Sequence, residues 1–206
     1  MMDNFELLGL ARGPWVDLEA LKAGFLEISS RAHPDRVAVA NVAERDAATA
    51  AFAELNAAYT CLRDPKSRVL HLLELELGAP PANVRDIPAG TMDLFLQVGQ
   101  ECREADSVLA AKARQTSPLL QAQWFEKGMA RSEKLGALQQ RIHLRRDELL
   151  AELKSMNDAW NAAPPISSPE RLAALPLLRL EEIGRELSYI TRWSAQIQER
   201  IAQLSF

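Results

Sequence analysis

Apolar residues recur every three or four positions along most of the chain, which is the spacing of one face of an α-helix. No hairpin dipeptide and no sustained alternation of apolar and polar residues predicts strands. Two early stripes are similar in length: Leu18, Leu21, Phe25 and Ile28, then Phe52, Leu55, Tyr59 and Leu62. We therefore expect an all-α fold that opens with an antiparallel pair of amphipathic helices, closed on a third side by a short leading helix.

Capping residues and prolines predict where these helices begin and end. Asp17 is placed to cap the first long helix. Pro34 disfavours helical geometry in the residue before it, so that helix should end near Ala32 or His33. We expect a loop over residues 34–41, a second long helix from about Val42 to about residue 62, and a further apolar segment at 69–77.

The stretch GAPPANVRDIPAG at residues 78–90 has three prolines and two glycines and predicts a linker. Longer helices follow it. One starts near Thr91, one starts at Ser117-Pro118, and the last should be kinked or broken by Pro176. The predicted organisation is an N-terminal domain at 1–78, a linker at 79–90, and an antiparallel three-helix bundle at 91–206.

Composition narrows the possible functions. The chain has 206 residues, is 48% hydrophobic and carries a net charge of −4, so it can bury a core but has no global attraction to nucleic acid or anionic lipid. No apolar run is long enough to span a bilayer, and the first ten residues lack the basic start of a secretory signal. Cys61 and Cys102 are far apart, which favours a reduced, cytoplasmic compartment. We expect no metal site and no cofactor.

The tripeptide at 33–35 is the most distinctive local feature. Residues 31–36 read RAHPDR. By itself the tripeptide predicts a turn in which Asp35 accepts backbone hydrogen bonds. A catalytic His33 would need a nucleophile or an acid as its partner, and none is indicated, since His71 and His143 are distant in sequence.

The context of the tripeptide gives it a further interpretation. A leading FELLGL, two matched helices joined through His-Pro-Asp, and LNAAYTCLRDP at 55–65 together resemble the J-domain of DnaJ-type co-chaperones over residues 3–68. In that family the tripeptide docks on a DnaK-type chaperone and stimulates its ATPase. The resemblance implies a chaperone-binding site formed by His33, Pro34 and Asp35, with basic charge from Lys22, Arg31 and Arg36.

The predicted helix at 17–32 is slightly acidic, since it contains three carboxylates and only two cations, Lys22 and Arg31. General J-domains present a basic helix there. Because charge complementarity sets partner choice, this indicates a dedicated chaperone.

The remainder of the chain resembles one branch of that family. The stretch DPKSRVLHLLELELG at 64–78 looks like the end of the J-domain in HscB-type co-chaperones of iron–sulfur cluster assembly, in which a three-helix bundle follows. There an apolar patch on the bundle holds the scaffold protein that carries the cluster. The matching residues are Met92, Phe95, Leu96 and Val98. These residues could equally be bundle core, because an apolar stripe usually faces neighbouring helices.

The sequence thus predicts a co-chaperone without enzyme activity whose partners are a DnaK-type chaperone and an iron–sulfur scaffold protein. Two alternatives stay open: a J-domain protein with a different client, and a structural helical adaptor whose J-like half is inactive. An enzyme would require a convergent polar site around His33 or His143 that the sequence does not contain.

Overall fold

A computed structural model of the protein describes residues 2–32, 42–81, 87–88, 90–114 and 118–205. The regular secondary structure of these residues consists of helices, with no strand among them, which confirms the predicted all-α class. The helices, in chain order, are α1 (Asn4–Leu7), α2 (Leu18–Ala32), α3 (Val42–Arg63), α4 (Pro65–Leu77), α5 (Met92–Ala113), α6 (Pro118–Asn161), α7 (Arg171–Ala174) and α8 (Leu177–Leu204).

The ends of the helices follow from local capping chemistry. Asp17 Oδ1 accepts the backbone N–H groups of Glu19 and Ala20 at 2.9 and 3.2 Å, which confirms the predicted cap of α2. Asp64 caps α4, whose first residue is Pro65. The predicted loop at 34–41 lies outside the described residues.

Pro176 breaks the last predicted helix into two. α7 ends at Ala174, and Leu175 adopts extended backbone angles (φ −95°, ψ 140°), as a residue before proline prefers. α8 then begins at Leu177.

The described chain packs as two compact units. Unit 1 comprises Met1–Asn83 with Leu150–Gly184, and unit 2 comprises Val84–Leu149 with Arg185–Phe206. This division differs from the predicted one, since residues 150–184 pack with the N-terminal segment, to which a buried ion pair joins them. The predicted limits of the functional domains stay a prediction.

Unit 1 is built around the α2–α3 hairpin. The rings of Phe25 on α2 and Tyr59 on α3 stack with centroids 4.4 Å apart. α1 and α4 pack on α3, and Phe5 of α1 is fully buried. The helices of unit 1 also contribute these buried side chains: Leu21, Leu55, Leu62, Val69, Leu72, Leu73, Leu153, Leu180 and Ile183.

Unit 2 is an antiparallel arrangement of α5, the first part of α6 and the second part of α8. Arg131 of α6 pairs with Glu101 of α5 at 2.6 Å, and Arg200 of α8 pairs with Asp106 of α5 at 2.9 Å. Arg145 of α6 pairs with the buried Glu186 of α8 at 2.8 Å. The core of this unit contains Val98, Cys102, Leu135, Leu138, Ile142, Leu149, Leu187, Ile190, Trp193 and Ile197.

Candidate functional site

The α2–α3 hairpin is the element that leads to the His-Pro-Asp segment. α2 ends at Ala32, immediately before His33 in the chain. The predicted chaperone-binding residues His33, Pro34, Asp35 and Arg36 lie outside the described residues. Their role stays a prediction, and the structure bears only on the helix that precedes them.

Lys22 and Arg31, the other predicted chaperone-binding cations, are both exposed on α2. They are nine residues apart, which places them about 180° apart around a helix with 3.6 residues per turn. Arg31 also forms an exposed 2.7 Å ion pair with Glu27, one turn earlier. The structure therefore does not bring the two cations together, and one of them already has a local counter-charge.

A buried arginine of α4 stabilises the α2–α3 hairpin through two backbone contacts. Arg68 of α4 donates from Nε to the Pro14 carbonyl at 3.0 Å and from Nη1 to the Leu62 carbonyl at 2.7 Å. Leu62 is in the last turn of α3, where carbonyl groups have no partner within the helix. Arg68 thus joins the segment before α2 to the end of α3. Burial lowers the pKa of Arg68 to about 10.

His71 of α4 holds the N-terminal turn in place. Its Nε2 accepts the backbone N–H of Asn4 at 3.1 Å, and its ring stacks on Phe5. Acceptance at Nε2 requires the neutral imidazole with its proton on Nδ1. Burial lowers the pKa of His71 below its ordinary value, which favours that neutral form.

The predicted client-binding residues divide into two groups. Met92, Phe95 and Leu96, here called the α5 surface, are exposed, with 58% of Leu96 accessible to solvent. Val98 is only 2% exposed and packs in the core of unit 2. The first turns of α5 therefore present three large apolar side chains to solvent, and Val98 is not one of the residues that a partner reaches.

Polar residues border the α5 surface on the side of α6. Arg141 Nη1 donates to Gln97 Oε1, and Gln100 donates to Glu104 at 3.1 Å. The Gln100 hydrogen bond and the neighbouring Arg131 lower the pKa of Glu104 below its usual range. This border is a network of paired side chains.

One buried polar cluster in unit 1 has no signal in the sequence pattern. In unit 1, Glu76 of α4 accepts two bonds from Arg171, from Nε and from Nη2, each 2.7 Å long. Trp160 Nε1 donates to the same carboxylate at 3.3 Å, and Arg171 Nη1 donates to the Pro164 carbonyl. Glu76 and Arg171 are 95 positions apart in sequence, so no local spacing predicts that they meet.

Comparison with known proteins gives this architecture a family. No protein-family model matches the chain. A co-chaperone protein HscB homolog from Burkholderia multivorans is 32% identical over 139 residues, which cover 66% of this chain and 76% of that protein. The chain belongs to the HscB family of co-chaperones.

Other HscB relatives align over a shorter part. The homolog from Ralstonia nicotianae is 46% identical over 72 residues, which are 35% of this chain. Across four such relatives the chain spans 41–43% of the relative's own length. Among solved structures, chaperone HscB from Vibrio cholerae matches with a TM-score of 0.63 and 21% identity, covering 98% of this chain and 99% of that one. This likeness concerns the fold.

Two further findings concern the described residues alone. The described residues include no group of three or more His, Cys, Asp or Glu side chains arranged to hold a metal ion. Within the same part of the chain, no helix is long and apolar enough to cross a membrane.

Proposed function

We propose that this chain stimulates the ATPase of a DnaK-type chaperone and delivers to it a protein scaffold for iron–sulfur clusters. Membership of the HscB family supports this proposal, and the alignment to the Burkholderia multivorans homolog carries it. In the proposal His33, Pro34 and Asp35 act on the chaperone and the α5 surface holds the scaffold. The chain itself acts as a binding protein in the cytoplasm, without catalysis and without a cofactor.

The architecture is suited to such an allosteric role. A rigid helical hairpin loses little conformational entropy when it docks, so its binding energy is available to favour one state of the partner. The chaperone responds only if the tripeptide binds one of its conformations better than the other. The expected effect is a faster hydrolysis step on the partner.

The chaperone half of the proposal is tested by single-turnover ATP hydrolysis on the DnaK-type chaperones of the source organism. Wild-type protein should accelerate hydrolysis by one of them, and His33→Gln should abolish the acceleration. Circular dichroism of the variant checks that it remains folded. If the chain stimulates none of these chaperones, the interpretation that remains is a structural helical adaptor whose J-like half is inactive.

The client half is tested by binding of the iron–sulfur scaffold protein to immobilised chain. Leu96→Asp places a charge in the middle of the α5 surface and should weaken binding at least tenfold, because the charge would have to be desolvated on docking. Leu178→Asp on α8, another highly exposed leucine, is the matched control and should bind as wild type. Equal scaffold binding by both variants would assign this surface to a different client or to none.

A further inference from the structure

Unit 1 contains a cleft lined by two segments that are distant in sequence. The cleft has a volume of about 680 Å³, and its lining residues come from positions 3–12 and 160–171. Clefts of ~300–1,000 Å³ have the size that holds small organic ligands. The lining residues include none of the His-Pro-Asp segment and none of the α5 surface. This cleft is therefore a third site, to which no role has been given above.

Arg12 is the residue of the cleft with hydrogen-bond donors to spare. Its Nε donates to Asp3 Oδ2 at 2.7 Å, and its side chain is only 16% exposed. The four N–H groups on Nη1 and Nη2 have no acceptor among the described residues, and both nitrogens remain accessible to solvent. Asp3 is itself held in place, because its Oδ1 accepts the backbone N–H of Phe5 at 2.9 Å. The guanidinium is thus fixed along one edge and available along the other.

Arg171, the other cation of the cleft, has no such free edge. Its Nε and Nη2 both donate to Glu76, and its Nη1 donates to the Pro164 carbonyl at 2.8 Å. The next carbonyl, that of Pro165, accepts the backbone N–H of Ser168 at 2.8 Å. These bonds, together with the fixed φ of two successive prolines, hold the turn after α6 in one conformation. This side of the cleft is therefore formed before any ligand arrives.

Much of the remaining lining is apolar. Leu10 belongs to the first segment, and Trp160, Pro164, Pro165 and Ile166 belong to the second. Trp160 is 5% exposed, whereas Ile166 is 62% exposed. Apolar surface thus continues from the interior of the cleft to its open rim, so a ligand with an apolar group can bury that group here.

The charges in the cleft favour an anion with a single charge. Glu6 also lines the cleft and has no ion-pair partner among the described residues, but it is exposed, so water and salt screen its charge. The guanidinium of Arg12 is mostly buried and less screened. A phosphate would place a second negative charge close to Asp3 and Glu6, whereas a carboxylate matches the fork of a guanidinium with one charge.

We propose that this cleft binds a carboxylate joined to an apolar group. The carboxylate accepts from Nη1 and Nη2 of Arg12, and the apolar group lies against Trp160 and Ile166. Two sources have this chemistry, a free organic acid and the C-terminal end of a peptide. The inference does not depend on stimulation of a chaperone or on binding of a scaffold.

Titration calorimetry on the whole chain tests the ligand chemistry with matched probes. 4-Phenylbutyrate should bind at least tenfold tighter than 4-phenylbutyramide, because only the acid forms a charge-assisted pair with Arg12. Acetyl-Ala-Leu-Leu with a free C-terminus should likewise bind at least tenfold tighter than its C-terminal amide. The acid with the lower Kd identifies the source, a free acid or a chain end.

A variant and a local signal place the ligand in the cleft. Arg12→Gln should weaken binding of 4-phenylbutyrate at least tenfold and leave the amide unchanged, with circular dichroism as the check on folding. Arg146→Gln removes an exposed arginine of α6 in unit 2 and should bind as wild type. In ¹⁵N NMR the indole N–H of Trp160, identified by Trp160→Phe, should shift as the acid binds, while that of Trp193 in the core of unit 2 should not.

Four results would overturn the inference, and three of them require no variant to fold. Equal binding of acid and amide would show that the free edge of Arg12 contributes nothing. Tighter binding of 4-phenylbutylamine than of the acid would make Glu6 the charged partner and a cation the ligand. No binding of either acid at about 10 mM would exclude the millimolar Kd that ligands of this size reach. Binding that leaves the Trp160 signal unmoved, or that Arg12→Gln retains, would place the acid elsewhere on the chain.

Discussion

Replacement of Glu76 by glutamine tests the ion pair that joins residues 160–171 to α4. The carboxylate accepts both parallel donors of Arg171, and the two side chains are 2% and 8% exposed. Glutamine has nearly the same shape but offers one acceptor oxygen and one N–H₂ group. The N–H₂ group faces a guanidinium donor, so one hydrogen bond is lost and the buried cation has no counter-charge.

The expected cost is large because the remaining charge cannot reach water. Breaking a buried ion pair by removing one partner typically lowers the free energy of unfolding by about 3–5 kcal/mol. In a chain of this size that corresponds to a fall in Tm of about 10 °C. Glu76→Leu with Arg171→Leu removes both charges and should lose only about 2 kcal/mol, mainly for the unmet bonds of Trp160 and Pro164.

Urea unfolding followed by circular dichroism measures these free energies, and hydrogen exchange locates the effect. Amides in residues 65–77 and 160–175 should exchange faster in Glu76→Gln than in wild type. The reasoning would be refuted if Glu76→Gln lost less than about 1 kcal/mol, or if the double leucine variant lost more than Glu76→Gln. The first result would mean that the pair is solvated, and the second that the pair stabilises the fold more than apolar side chains in its place would.

Two other predictions concern His71 and Gly184. The pKa of His71 is lowered in the folded chain, so the unfolded chain takes up the proton first as pH falls. The contribution of His71 to the free energy of unfolding is therefore complete above about pH 6.5 and declines below it. The decline of the urea midpoint between pH 7.5 and pH 5.5 should be smaller in His71→Leu than in wild type. A Cβ at Gly184 would lie 3.0 Å from Cγ1 of the fully buried Val69, so Gly184→Ala should lower the free energy of unfolding by about 1–2 kcal/mol. Gly136 has open space around it, so Gly136→Ala should raise the free energy of unfolding by up to about 1 kcal/mol in the same assay. A destabilised Gly136→Ala, or pH profiles that coincide, would contradict these arguments.

The ends of the helices were predictable because their causes are local. Asp17 and Asp64 cap the residues that follow them, and Pro176 forces extended backbone on its predecessor. Such effects depend on a few neighbouring residues, so the sequence alone contains them. The resemblance to J-domain co-chaperones was likewise visible in short motifs, and the family comparison agrees with it.

The division of exposed and buried positions was less predictable. Phe95, Leu96 and Val98 are all apolar and lie within one turn of α5, and the sequence left open whether they face solvent or the bundle. The structure exposes the first two and buries Val98. The difference depends on where α6 and α8 pack against α5, which the periodicity of α5 does not contain.

The sequence by itself determined the helical class, the ends of the helices and the family motif, because each depends on neighbouring residues or on short spacings. Only the tertiary structure decided that Arg171 meets Glu76 and that Leu18 and Leu26 of α2 face solvent. The physical reason is that burial and pairing depend on which distant segments pack together. Many arginines and glutamates with similar local surroundings compete for the same partners, and only packing selects among them.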